Sequence, residues 1–173
     1  MNLIITCSRH LEEEASNEIS KILRELGDAS CTIEISSFSG IITVTTTLNS
    51  LLVVNEIRRI ILDEPWSVRY CHRFIPIQET TETSTENIVR AVQNLLKMMK
   101  PDDTYRITIE KRGSHLSSKE VIDSIAKNIQ NKVSLEKFDW NVIIEILGII
   151  TGISVLKENG VVSTLKMKRD LVE

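Results

Sequence analysis

Cysteine, glycine-rich loops, aromatic residues and long apolar runs are all scarce in this chain of 173 residues. Its three cysteines, Cys7, Cys31 and Cys71, are an odd number confined to the first half, so no disulfide framework is expected. None of the six glycines falls in a G-x-G-x-x-G or G-x-x-x-x-G-K-[ST] context, which removes support for the dinucleotide and P-loop chemistries. Aromatic residues are 4% of the chain, so base stacking is a minor resource. The longest apolar run, Val142 to Leu156, contains Glu145 and is shorter than the roughly 20 residues that span a bilayer. The start Met-Asn-Leu-Ile-Ile reads as a strand rather than a signal peptide, and the expected setting is cytoplasmic with no membrane partner.

What is present is ordinary globular composition, 42% apolar, with a net charge of −3. Nucleic-acid binding rests on Lys and Arg against phosphates, so that balance argues mildly against it for the chain as a whole. The charge is unevenly spread, however. Residues 1–77 hold 7 basic and 10 acidic side chains, whereas Tyr105 to Lys132 holds 6 basic and 3 acidic.

Periodicity divides the chain in two. Leu3 to Cys7 reads as a strand, and Leu11, Ala15, Ile19, Ile22, Leu23 and Leu26 form a helical stripe ending at Gly27. Cys31 to Ile35 and Ile41 to Thr45 alternate as two strands around a Ser36 to Gly40 loop. Asn49 is placed to cap a helix with apolar positions Leu52, Val53, Ile57, Ile60 and Ile61, which stops at Asp63-Glu64-Pro65. Val68 to Ile77 is a fourth strand. This βαββαβ order predicts a ferredoxin-like domain over residues 1–77, in an α+β chain.

The polar stretch Gln78 to Glu86 is the natural boundary, and a second domain is predicted over residues 78–173. Thr83 with Glu86 has capping-box spacing ahead of a helix that Pro101 prevents from running on. Tyr105 to Glu110 alternates as a strand, and Lys111-Arg112-Gly113 reads as a turn. Ser117 and Glu120 form another capping box before the stripe Val121, Ile122, Ile125, Ala126 and Ile129. Trp140 to Leu147 and Ile149 to Leu156 are interior strands, Glu158-Asn159-Gly160 a turn, and Val161 to Leu165 an edge strand before a frayed tail.

The junction at residues 111–119 is the candidate site. A helix start offers unpaired N–H groups and partial positive charge, and Lys111, Arg112, His115 and Lys119 surround this one. An anion is favoured there, against the plainer reading of a solvated loop tip. Glu120 opposes it, because a capping carboxylate would take one of the N–H sites.

No catalytic set assembles. Ser114, Ser117 and Ser118 near His115 are accounted for as turn and cap residues, and Glu145 reads as a structural carboxylate before a general base. Cys7, His10, Cys71 and His72 are the one metal-like grouping, but adjacent Cys71 and His72 point to opposite faces of a strand. Buried free thiols are the better reading, and neither metal nor cofactor is expected.

Tyr105-Arg-Ile-Thr-Ile-Glu-Lys-Arg, the Ser-Ser-Lys-Glu-Val-Ile helix start, Lys132-Val-Ser-Leu and Asn141-Val-Ile-Ile-Glu-Ile together resemble a THUMP domain, an RNA-binding module of tRNA-modifying enzymes. The resemblance implies an N-terminal ferredoxin-like domain before the module, and the pair holding the acceptor end of tRNA. Most of that family carries a further catalytic domain, and this chain ends about where it would begin. Arg73-Phe-Ile-Pro-Ile-Gln and Ile153-Ser-Val-Leu-Lys are similar to the branch of non-enzymatic adaptors that assist tRNA cytidine N4-acetylation. That likeness implies Lys111, Arg112, Ser118 and Lys119 facing RNA phosphates, Arg73 contributing from the domain junction, and His115 a weaker participant. It also implies a separate acetyltransferase partner. Two other functions fit the same corner: a regulatory protein for a small anionic ligand, and the detached RNA-binding subunit of another tRNA-modification enzyme, such as a methyltransferase.

Overall fold

The computed structural model describes residues 1–173. In chain order its elements are β1 (Leu3–Cys7), α1 (Glu12–Glu25), β2 (Thr32–Ile35), β3 (Ile41–Thr45), α2 (Ser50–Asp63), β4 (Cys71–Pro76) and β5 (Glu79–Glu82). There follow α3 (Thr85–Leu95), β6 (Tyr105–Arg112), α4 (Ser118–Ala126), β7 (Trp140–Leu147), β8 (Ile150–Lys157), β9 (Val162–Ser163) and α5 (Thr164–Asp170). They form two compact units, one of Met1–Pro76 with Gly160–Glu173, the other of Ile77–Asn159.

The first unit is an antiparallel sheet in the order β2-β3-β1-β4-β9. Alternation along β1 sends Leu3 and Ile5 to one face, where α1 contributes Ala15, Ile19 and Leu23 and α2 contributes Val53, Ile57 and Ile61. This is the ferredoxin-like arrangement that the βαββαβ order predicts, with a fifth strand added. Asn49 caps α2 by accepting the N–H groups of Leu51 and Leu52. The phase of that helix differs from expectation: Leu52 is 64% exposed, and Val54 is buried in its stead.

The extra strand corrects the domain boundary at residues 78–173. Ser163 and Val162 pair with Arg73 and Phe74, Val162 joins the first core, and Lys168 Nζ donates to the Val68 carbonyl at 2.6 Å. The second domain therefore closes at Asn159. The tail is a helix, α5, capped by Ser163 and carrying Met167 against the first core.

The second unit is a mixed sheet in the order β5-β8-β7-β6, with β6 parallel to β7 and the other pairs antiparallel. A parallel pair needs a crossover, and α4 lies in that connection. Ile88 and Val92 of α3 and Val121 and Ile125 of α4 pack on Val142, Ile144, Ile153 and Val155. The polar stretch expected as a linker is instead the edge strand β5, where Glu-Thr-Thr-Glu alternates half-buried and exposed residues against β8. Ser84 rather than Thr83 caps α3, because the Thr83 hydroxyl is engaged with Thr151 Oγ1 at 2.8 Å.

Candidate functional site

The expected turn at Lys111-Arg112 is the last part of β6, since β7 stays regular long enough to pair Lys111 with Ile146 and Arg112 with Leu147. The strand breaks at Gly113, whose φ of 63° is one that glycine adopts without steric cost. Ser114 Oγ then accepts the Leu116 N–H at 3.2 Å, and Lys111 Nζ donates to the Leu116 carbonyl at 2.7 Å. The lysine side chain thus braces the loop that carries the chain into α4.

Ser117 caps α4 by accepting the Glu120 N–H at 3.3 Å. The N–H groups of Ser118 and Lys119 have no protein acceptor, as the first turn of a helix dictates. Glu120 is exposed and its carboxylate does not fold back onto the cap, so half of the capping box forms. The objection that this carboxylate fills the anion position is thereby removed.

Lys111, His115 and Lys119 are exposed around this start, and Ser118 is half-buried. Beside them Gly113, Ser114, His115 and Leu116 form one wall of an open cleft of about 810 Å3, faced by Glu82 and Thr83 and by Gly148 to Ile150. Gly148 has a φ of 62° at the first position of the two-residue turn between β7 and β8, the II′ pattern. It leaves Ile149 83% exposed at the tip. Sequence reasoning placed Ile149 inside a strand. Gly148, a residue suited to the first position of such a turn, is the signal in the sequence that marks Ile149 as a turn residue.

Arg112 sits differently. Its Nη1 lies 3.6 Å from Glu145 Oε2, with the arginine side chain 30% exposed and the glutamate 3%. Glu145 is thus a structural carboxylate with a basic partner, and that partner is one of the residues the resemblance assigns to RNA. Arg73 lies half-buried in β4 of the first unit, opposite Thr6 and Ser163. Lys111, Arg112, His115, Ser118 and Lys119 all belong to the second unit.

Two cation–aromatic contacts escaped the sequence reading, Arg106 over Phe138 at 4.4 Å and Lys157 over Trp140 at 4.0 Å. Both join residues far apart in the chain, so no local pattern announces them.

Cys7 and Cys71 are register partners on β1 and β4. Burial, then Glu12 and Glu14, pushes the Cys7 thiol up to about 11. Burial, then Glu18, raises Cys71 as well, and its Sγ donates to the Ala15 carbonyl. His72 Nε2 lies 3.4 Å from Ser8 Oγ, His10 is exposed, and no three ligand-type side chains converge. No helix is long and apolar enough to cross a membrane.

The second unit is thus an α/β module built on a mixed four-stranded sheet, preceded by a ferredoxin-like unit. Residues 82–156 match the family model of the THUMP domain, so the chain contains a THUMP domain. No protein of curated function matches the chain by sequence. Among solved structures it is similar to PH1313 from Pyrococcus horikoshii Ot3, with a TM-score of 0.66 and 20% identity over 91% of this chain and 55% of that one. TrmN from Thermus thermophilus aligns with a TM-score of 0.59 and 16% identity over 90% of this chain and 45% of that one. A 4-thiouridine synthetase–RNA complex with bound ATP aligns at 0.50 and 12% identity, over 91% of this chain and 42% of that one. These likenesses are of fold, and the chain spans about half the length of the structures it matches.

Proposed function

We propose that this protein is a tRNA-binding adaptor without catalysis of its own, which presents tRNA to a separate modifying enzyme. The observation that carries the reading is the start of α4 within a THUMP domain. Two unsatisfied N–H groups, Lys111 and Lys119 meet there beside an open cleft. N–H groups at a helix start suit phosphate oxygens, as do ammonium groups, and Lys111 keeps two donors beyond the one it gives the Leu116 carbonyl. Contacts would be mainly to the backbone and shape of the RNA. Lys111, Lys119 and Ser118 are the phosphate contacts in this proposal, with His115 lining the cleft and Arg73 contributing from the first unit. Arg112, beside Glu145, is not a phosphate contact in this proposal. Support from elsewhere is the fold likeness to 4-thiouridine synthetase, which was solved as an RNA complex.

The reaction served is N4-acetylcytidine formation by an acetyltransferase partner. Arg73-Phe-Ile-Pro-Ile-Gln and Ile153-Ser-Val-Leu-Lys support this finer reading through their likeness to the adaptor branch. The test is mass-spectrometric mapping of modified nucleosides in tRNA from a deletion strain. Loss of N4-acetylcytidine alone is the expected result. An intact acetylcytidine level with loss of another nucleoside would move the proposal to a different modifying enzyme. A binding comparison between full tRNA and tRNA trimmed at its 3′ end tests the acceptor-end contact, which predicts weaker binding of the trimmed form.

A further inference from the structure

The groove between α1 and α2, wholly within the first unit, is left unused by the RNA reading. It encloses about 380 Å3, with Ile22 and Ile60 in its lining and Glu25, Asp63 and Glu64 around them, and Lys21 is its one cation. Glu18 also lines it, but that carboxylate is occupied by three backbone N–H groups. Lys21 reaches Glu25 at 4.0 Å with both side chains well exposed, a weak and screened contact. The C-terminal end of a helix carries partial negative charge and favours a basic residue, yet α2 has none in its last turn and ends on Asp63-Glu64. Stability of the helix does not account for that choice.

Trp66 supplies a separate sign. It stands on the turn closed by the Ser67 N–H to the Glu64 carbonyl, between two groove residues, and is 71% exposed. Tryptophan is among the side chains enriched at binding hot spots, and its ring face attracts cations.

We infer that this groove docks a basic segment of a partner protein. A lysine or arginine stem would lie on Ile60, its charged head among Glu25, Asp63 and Glu64, and Trp66 would cover it from the rim. Charge complementarity selects this occupant: the same carboxylates repel RNA phosphates, so the surface stays available while RNA is held elsewhere. The inference does not depend on the RNA reading, because the groove shares no residue with Arg73, Lys111, Arg112, His115, Ser118 or Lys119.

The test is titration of the full chain with a synthetic octapeptide alternating arginine and leucine. Binding is followed by tryptophan emission and by anisotropy of the labelled peptide. Trp140 is buried, so a change in emission reports Trp66. Saturable binding is expected, weakened about tenfold in Glu25→Gln/Asp63→Asn/Glu64→Gln and about threefold in Trp66→Ala. The control Glu13→Gln/Glu14→Gln/Glu34→Gln removes as many exposed carboxylates from other places and should leave binding within about twofold. Equal weakening by both triple variants would reduce the effect to general charge attraction and overturn the inference, as would an emission that does not respond. Transfer RNA affinity unchanged in the groove variants separates this outcome from that of the RNA proposal, and circular dichroism verifies that the variants are folded.

Discussion

In the first unit the N–H groups of Arg69, Tyr70 and Cys71 converge on the Glu18 carboxylate at 2.6 to 3.3 Å. In the second unit the N–H groups of Ser118 and Lys119 open α4 with no acceptor from the protein. Both are concavities of backbone donors that suit a negative oxygen. One is filled by a side chain from α1 and serves as a brace between a helix and a strand. The other is left to solvent and flanked by lysines. The contrast teaches that a donor cluster becomes a candidate binding site when the fold supplies no anion of its own. Two glutamates differ in the same way: Glu120 follows the open cluster without accepting an N–H there, while Glu145 is buried with Arg112 Nη1 3.6 Å from its Oε2.

The largest effect that would sharpen this contrast comes from Arg112→Ala. It leaves a buried carboxylate without its guanidinium, and chemical denaturation should show a loss of about 2–4 kcal/mol, allowing for the partial exposure of the arginine. A loss within about 0.5 kcal/mol would show the pair to be no brace. Next is Glu18→Ala, which strips the acceptor from three N–H groups and should cost about 1–3 kcal/mol by the same measurement. Glu18→Gln keeps one acceptor oxygen and should lose less. Lys119→Ala at the open cluster, in contrast, should leave stability within about 0.5 kcal/mol.

The smallest effect concerns acid. Asp28 accepts hydrogen bonds from the Thr46 hydroxyl, the Thr47 N–H and Ser30, which hold its carboxyl well below the usual carboxylate range. A depressed folded value means that the stabilisation is complete above the unfolded value, near about pH 4, and declines as pH falls through the folded value. Thermal midpoints should therefore drop below about pH 4, and Asp28→Asn should flatten that part of the profile.

Much of the framework was legible because it is written locally. A short apolar run gave β1, alternation gave β2, β3 and β6, the side chains of Asn49 and Ser117 marked two helix starts, and Gly113 marked the break before the site. Three features were not legible, each for a physical reason. Glu79 to Glu82 looks like a linker because an edge strand with one face in solvent needs little apolar content. Val162 and Ser163 return to the first unit through pairing with residues some ninety positions earlier, which no local pattern encodes. Arg112 looks like an ion of the loop because Glu145, its partner, is distant in sequence. At the candidate site, then, the chain announced the loop and the helix start but not the approach of Arg112 to Glu145.

The proposed division, with Lys111 and Lys119 on RNA and Arg112 beside Glu145, is the central claim, and tRNA affinity tests it most directly. Lys111→Ala/Lys119→Ala and Arg112→Ala should be measured in parallel, on folded protein, across a salt series. The account predicts that the lysine pair loses about 1–3 kcal/mol of binding and flattens the salt dependence. It predicts that Arg112→Ala stays within about 0.5 kcal/mol of wild type in affinity. The reverse pattern, with Arg112→Ala weakening RNA binding and the lysine pair leaving it intact, would contradict it.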